Sequence, residues 1–121
     1  MMNTILIAED NFVNRELLRE MLEARNYRVA EACDGKEALA KIDEVKPDLI
    51  LLDLNMPILD GFAVIRLIRE NPTFHQVPVL AVTAYAMKED RERVLRAGFD
   101  SYIPKPIDSA MLFNELRKFI L

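Results

Sequence analysis

Residues 49–52 (Leu-Ile-Leu-Leu) and 79–82 (Val-Leu-Ala-Val) are apolar at every position, leaving neither face of an extended strand suited to water. Runs of this kind belong to strands covered on both faces, as in a parallel sheet flanked by helices. Two further short runs behave alike, and each of the four leads into a polar, reactive group. Ile5-Leu6-Ile7-Ala8 runs into Glu9-Asp10, Leu49–Leu52 into Asp53, Val79–Val82 into Thr83, and Tyr102-Ile103 leads to Lys105-Pro106. In an open parallel sheet all strands point the same way. Groups just past their carboxyl ends therefore meet in one crevice, where such folds bind ligands.

The stretches between these runs carry helical periodicity. Phe12 to Ala24 places Val13, Leu17, Leu18, Met21 and Leu22 near helical spacing. Tyr27 to Ala32 reads as a second strand, and Asp34-Gly35 as a turn before a helix marked by Ala38, Leu39 and Ile42 that stops ahead of Pro47. A strand over 48–52 follows, then a helix marked by Phe62, Ile65, Leu67 and Ile68 and closed by Asn71-Pro72. Pro78 opens the run 79–82, where proline is tolerated as the first strand residue. Residues 88–97 form a charged helix that Gly98 ends as a C-cap, Ser101 to Ile103 a short strand, and Ala110 to Ile120 a last helix starting near Asp108-Ser109. Five βα units predict an α/β protein whose parallel sheet carries helices on both faces. No repeat, linker or low-complexity tract divides the chain, so residues 1–121 are expected to form one domain.

Composition removes several functions. A net charge of −4 argues against nucleic acid, which needs a basic stripe. The lone cysteine, Cys33, cannot make an internal disulfide and fits a reducing cytoplasm. No apolar run approaches the roughly 18 residues of a membrane span, and no signal-peptide pattern opens the chain. His75, the only histidine, lies in a Pro-flanked polar stretch and reads as a surface loop residue; with Cys33 it is too few ligands for a His/Cys zinc site. A soluble, cytoplasmic protein is expected.

The crevice group combines Glu9, Asp10, Asp53, Thr83 and Lys105. Asp10 or Asn11 has an ordinary use as a helix cap, with Glu9 favouring the helix dipole. Asp53 at the same sheet end adds a third carboxylate, and each pair at about 4 Å costs on the order of 4 kcal/mol at an effective dielectric of 20. Lys105 leaves the group at −2, a balance that Mg²⁺ offsets with hard oxygen ligands. Without metal, at least one carboxylate should have a raised pKa. Asp53 is the candidate nucleophile, since a carboxylate attacking phosphorus gives an acyl phosphate. Thr83 would donate a hydrogen bond and Lys105 a charge to the phosphoryl oxygens. Singly, Thr83 is also a strand-end β-branched residue and Lys105 a solvated lysine; only their joint placement points to chemistry. Asn55 offers a backbone carbonyl to metal and an N–H to phosphate, while Pro57 fixes φ and Gly61 accepts positive φ in the loop. A cis bond before Pro106 does not follow from sequence physics, since about 5–6% of X–Pro bonds are cis.

Together these residues resemble the receiver domain of two-component response regulators, the CheY-like family, across essentially the whole chain. The resemblance rests on Glu9-Asp10, Asp53, Asn55-Met56-Pro57 with Asp60-Gly61, Thr83-Ala84 and Lys105-Pro106. The surrounding segments ILIAEDN, PVLAVTAYAM and AGFDSYIPKPI look most like stand-alone receivers of the DivK type or receivers attached to hybrid kinases. The resemblance implies a flavodoxin-like (βα)5 fold with strand order 2-1-3-4-5. It implies phosphoryl transfer to Asp53 from a histidine kinase or histidine phosphotransfer protein, with Mg²⁺ held by Asp10, Asp53 and the Asn55 carbonyl and Glu9 acting largely through water. It implies Thr83 and Lys105 on the phosphoryl oxygens, a cis Lys105–Pro106 bond, and a switch in which Thr83 moves toward the phosphate and Tyr102 turns inward. A half-buried Tyr102 with its hydroxyl in water fits the sequence equally well.

Partner surfaces follow from the same resemblance. The face built by the fourth helix, fifth strand and fifth helix is expected to bind an output protein or a second receiver, as monomer or weak dimer. Phe12 and Val13 are candidate docking residues for the phosphodonor, with core packing as the alternative. Lys88, Arg91, Arg93 and Arg96 alternate with Glu89, Asp90 and Glu92 on an ordinary solvated face. No DNA-binding segment follows residue 121, so any transcriptional output is expected to be indirect. A stoichiometric phosphoacceptor rather than an enzyme is expected. A haloacid-dehalogenase-type phosphatase needs a second aspartate where Asn55 stands, and a capping insertion. A flavin binder wants a Ser/Thr/Gly-rich loop where Ala8 to Asn14 is acidic.

Overall fold

The computed structural model describes residues 2–84 and 88–120, apart from the side chains of Lys88 and Glu89. The Tyr85-Ala86-Met87 part of the segment after the fourth strand lies outside them. Strands and helices alternate as β1 (Thr4–Ala8), α1 (Phe12–Glu23), β2 (Arg28–Ala32), α2 (Gly35–Val45), β3 (Leu49–Asp53), α3 (Gly61–Glu70), β4 (Val79–Thr83), α4 (Lys88–Ala97), β5 (Ser101–Pro104) and α5 (Ser109–Leu116). All strand pairs are parallel, in the order β2-β1-β3-β4-β5. This is the CheY-like, flavodoxin-like fold.

Strand periodicity explains the layering. Leu6, Ile50 and Leu52 turn one way and pack with Ala38, Ile42, Val64, Ile65, Ile68 and Val94 of α2, α3 and α4. Ile5, Ile7, Leu49 and Leu51 turn the other way onto Leu18 and Leu22 of α1 and Leu112, Phe113 and Leu116 of α5. The two fully apolar runs are thus the central strands, buried along their length. Edge strand β2 keeps partly exposed positions.

Side-chain caps fix where four helices start. Asn11, Asp34, Asp60 and Asp108 accept from the backbone N–H of Asn14, Glu37, Ala63 and Met111 at 2.9, 2.8, 2.9 and 3.1 Å. Asn11, not Asp10, caps α1, which leaves Asp10 for other uses. Gly98 takes φ 115 after α4, a position that favours glycine.

Three sequence expectations change. The last helix stops at Leu116 rather than Ile120, because Lys118 and Phe119 donate three residues back, to Glu115 and Leu116, tightening the end of the helix. The third strand spans 49–53 rather than 48–52; Asp48 instead accepts from the Thr4 N–H at 2.7 Å and ties the starts of two strands together. In the loop after β3, the left-handed residue is Ile58 (φ 71), not Gly61. Gly61 serves by lacking a side chain: a Cβ there would lie 2.8 Å from the Asp53 carbonyl oxygen and 2.8 Å from the Leu54 Cα.

Candidate functional site

The order β2-β1-β3-β4-β5 places the ends of β1, β3, β4 and β5 side by side. Ala8 pairs with Leu52, Asp53 with Val82, and Thr83 with Pro104. Glu9, Asp53, Thr83 and Lys105 therefore gather without any long loop. Glu9 is 1% and Asp53 2% exposed, whereas Asp10 faces solvent. One oxygen from each of Glu9, Asp10 and Asp53 lies within 4.8 Å of the others.

Lys105 closes the cluster. Its Nζ donates to Glu9 Oε1 and Oε2 at 3.3 Å each and to Asp53 Oδ2 at 3.4 Å. The Asn55 N–H donates to the other Asp53 oxygen, Oδ1, at 3.1 Å. Burial pushes the Asp53 carboxyl up to about 6, and Glu9 beside it reinforces the rise; the Asn55 N–H and Lys105 pull in the opposite direction. Burial, with Glu9 alongside, thus outweighs the single lysine and the Asn55 N–H.

The donor set fits Mg²⁺. Three carboxylates in reach of one point, with an exposed member where waters can remain, match a hard cation that keeps part of its hydration shell. Asn55 is exposed at the same edge, and its N–H is already turned to Asp53. Thr83 is fully buried at the end of β4, and its carbonyl accepts from the Lys105 N–H at 2.8 Å. The Lys105–Pro106 bond is cis.

Tyr102 lies one strand further out. It is buried, and its hydroxyl accepts from Arg91 Nη2 at 3.1 Å while the guanidinium sits 4.8 Å from the ring centroid. The ring is therefore buried rather than half-buried, with Arg91 on its hydroxyl. Phe12 and Val13 are not core: they are 63% and 71% exposed at the start of α1, and Ile58 is 72% exposed beyond β3. His75 is an exposed loop residue.

Two residues escaped the sequence reading. Asn14 Nδ2 donates to Glu9 Oε1 at 3.2 Å, and Arg15 Nη1 donates to the Glu9 carbonyl at 2.8 Å. Their signal in the sequence was their place in the first turn of α1, from which side chains can reach back toward the strand just left.

Comparison with known proteins gives the class. Residues 5–117 match the response regulator receiver domain family, and the chain belongs to that family of two-component signalling proteins. It is 36% identical over 120 residues to the polar-differentiation response regulator DivK of Brucella anthropi, covering 99% of this chain and 98% of that protein. Among solved structures it resembles the receiver domain of a sensor histidine kinase from Pseudomonas aeruginosa, crystallised with magnesium in its active-site cleft. The two share 38% identity with a TM-score of 0.91, over 99% of this chain and 98% of that one. The chemotaxis protein CheY4 of Vibrio cholerae superposes with a TM-score of 0.92 at 28% identity, covering 99% and 100%. Receiver domains are regulatory phosphoacceptors rather than turnover enzymes, and this chain carries the acidic cluster Glu9, Asp10 and Asp53.

Proposed function

We propose that the chain, acting as one receiver over residues 1–121, takes a phosphoryl group on Asp53 from a phosphohistidine of a histidine kinase or histidine phosphotransfer protein. The observation that supports this best is the gathering of Glu9, Asp10 and Asp53 within 4.8 Å, with Lys105 in reach of two of them. An Asp53 oxygen forms the new bond to phosphorus as the bond from phosphorus to the donor imidazole breaks, and the imidazole leaves with the electron pair. The Asp53 side chain then changes from about −1 to about −2.

Lys105 and Thr83 receive that charge on the phosphoryl oxygens, and the Asn55 N–H, now on Asp53, is placed to do the same. Asp10, Asp53 and the Asn55 carbonyl would hold Mg²⁺, with Glu9 acting through water. The ion, when bound, neutralises charge on the transferring group. Transfer is stoichiometric, and water slowly removes the phosphoryl group. The step belongs to the cytoplasm, where ATP-dependent kinases charge their histidines.

The output surface is the α4-β5-α5 face, where Tyr102 and Arg91 meet. Phosphorylation biases Thr83 and Tyr102, and with them this face, toward binding a downstream protein or a second receiver. Phe12 and Val13, exposed at the start of α1, receive the phosphodonor.

The test is labelling with acetyl phosphate, followed by intact mass. One phosphoryl group per chain is expected with Mg²⁺ and none with EDTA or in Asp53→Ala. Stoichiometric labelling of Asp53→Ala would reject the assignment.

A further inference from the structure

Glu9 is secured at every polar atom. Its backbone N–H donates to the Ala32 carbonyl of β2 at 3.0 Å, and its own carbonyl accepts from Arg15 Nη1 at 2.8 Å. Arg15 is itself anchored, with Nε 3.4 Å from Glu31 Oε1 of β2. The carboxylate accepts from Lys105 at both oxygens and from Asn14 Nδ2 at Oε1. The amide nitrogen rather than the amide oxygen must face Glu9, because a carboxylate only accepts hydrogen bonds.

These two carboxylate partners are unequal in what they can afford to lose. Lys105 divides its ammonium among three oxygens at 3.3–3.4 Å, and in the phosphoacceptor reading it turns to the phosphoryl group. Asn14 has no such second duty among the described residues: its side-chain amide donates to Glu9, while its backbone N–H separately caps α1 through Asn11. Once Lys105 leaves, Asn14 is the remaining side chain seen here that holds Glu9 Oε1.

We propose that Asn14 is a positioning residue for magnesium: through its amide it fixes the Glu9 carboxylate, and thereby the outer sphere of the ion, when Lys105 is engaged elsewhere. The proposal rests on the reading of Asp53 as a Mg²⁺-dependent phosphoacceptor. An outer-sphere carboxylate works by ordering the waters of a cation, and one left to rotate orders them less well. Partners of metal-binding groups are typically worth 10- to 100-fold in metal affinity. The low end applies here, because solvent can partly replace an amide at a half-exposed position.

The experiment compares the full chain with Asn14→Leu, Asn14→Ala and Asn14→Gln. Calorimetry reads Mg²⁺ affinity alone, urea melts in EDTA read stability, and acetyl phosphate labelling reads function across a Mg²⁺ titration. Asn14→Leu should weaken Mg²⁺ binding about tenfold. The Mg²⁺ concentration for half-maximal labelling should rise equally, while the rate at saturating Mg²⁺ and the midpoint in EDTA stay near wild type. Asn14→Gln, which restores the donor, should recover part of the affinity. If Asn14→Leu does not fold, Asn14→Ala decides by the same measures. A variant lacking the amide that binds Mg²⁺ like the wild type, while wild type still labels on Asp53, overturns the positioning role alone. A wild type that takes up no Mg²⁺ overturns the phosphoacceptor reading and this proposal with it.

Discussion

Replacing Asp53 with asparagine should stabilise the protein in the absence of metal, although it destroys the phosphoacceptor. Asp53 lies within 4.8 Å of two other carboxylates, and each such pair repels by about 3.5 kcal/mol at an effective dielectric of 20. Lys105 at 3.4 Å returns about 5 kcal/mol on the same scale. The difference leaves ionised Asp53 unfavourable by about 2 kcal/mol. Solvent screening of the exposed Asp10 reduces that figure, and the desolvation of a carboxylate that is 2% exposed raises it again. Asparagine keeps the oxygen that accepts from the Asn55 N–H and swaps the other for an amide that can donate to Glu9.

The pH dependence carries the same sign. Folded Asp53 holds its proton up to about 6, whereas its ordinary value is 3.8. Between those values the native state binds more protons than the unfolded chain, so this group's contribution makes stability fall as pH rises from about 4 to 6 and level off above. Asp53→Asn removes that descent. Urea melts at pH 7.5 in EDTA, followed by circular dichroism, should show a midpoint raised by about 1 M for an m-value near 2 kcal/mol/M. Saturating Mg²⁺ should reverse the order, since a ligand at 100 times its Kd adds about 2.7 kcal/mol to the form that binds it. A variant no more stable than wild type in EDTA, or one that keeps the same descent with pH, would refute the electrostatic account.

Two further outcomes follow from packing. Gly61→Ala puts a methyl group 2.8 Å from the Asp53 carbonyl oxygen and the Leu54 Cα, so it should cost about 1–3 kcal/mol and slow acetyl phosphate labelling; unchanged labelling would show that Asp53 is not held from this side. Arg69 donates to the carbonyls of Gly98, His75 and Val77 at 2.9, 3.0 and 2.7 Å and to Asp100 Oδ2 at 2.8 Å. Arg69→Met should lower stability by about 3 kcal/mol in thermal denaturation while leaving Mg²⁺ affinity intact, because that junction lies at the opposite end of β4 from Thr83.

Much of this molecule was legible along the chain because its signals are local. Apolar runs at 49–52 and 79–82 announce central parallel strands, since a strand with no polar side needs cover on both faces. Asp108 marks a helix start because a short side chain reaches the N–H three residues on; Asp34 and Asp60, legible only as a turn and a loop, make the same cap. Asp53 stood out because it ends the most apolar run.

What the chain order could not reveal depends on contacts between distant segments. Lys105 reaches Glu9 across 96 positions, and the distances that make three carboxylates one electrostatic unit exist only after β1, β3 and β5 are laid in one sheet. The role of Asn14 needed the angle at which α1 leaves β1, and Gly61 was misread as a φ device because the backbone it must approach belongs to β3. The partner of Tyr102 was hidden for a similar reason: Arg91 comes to its hydroxyl from a separate helix. Short-range geometry is written in residue order, whereas charge coupling falls with distance in space, and only the folded chain sets that distance.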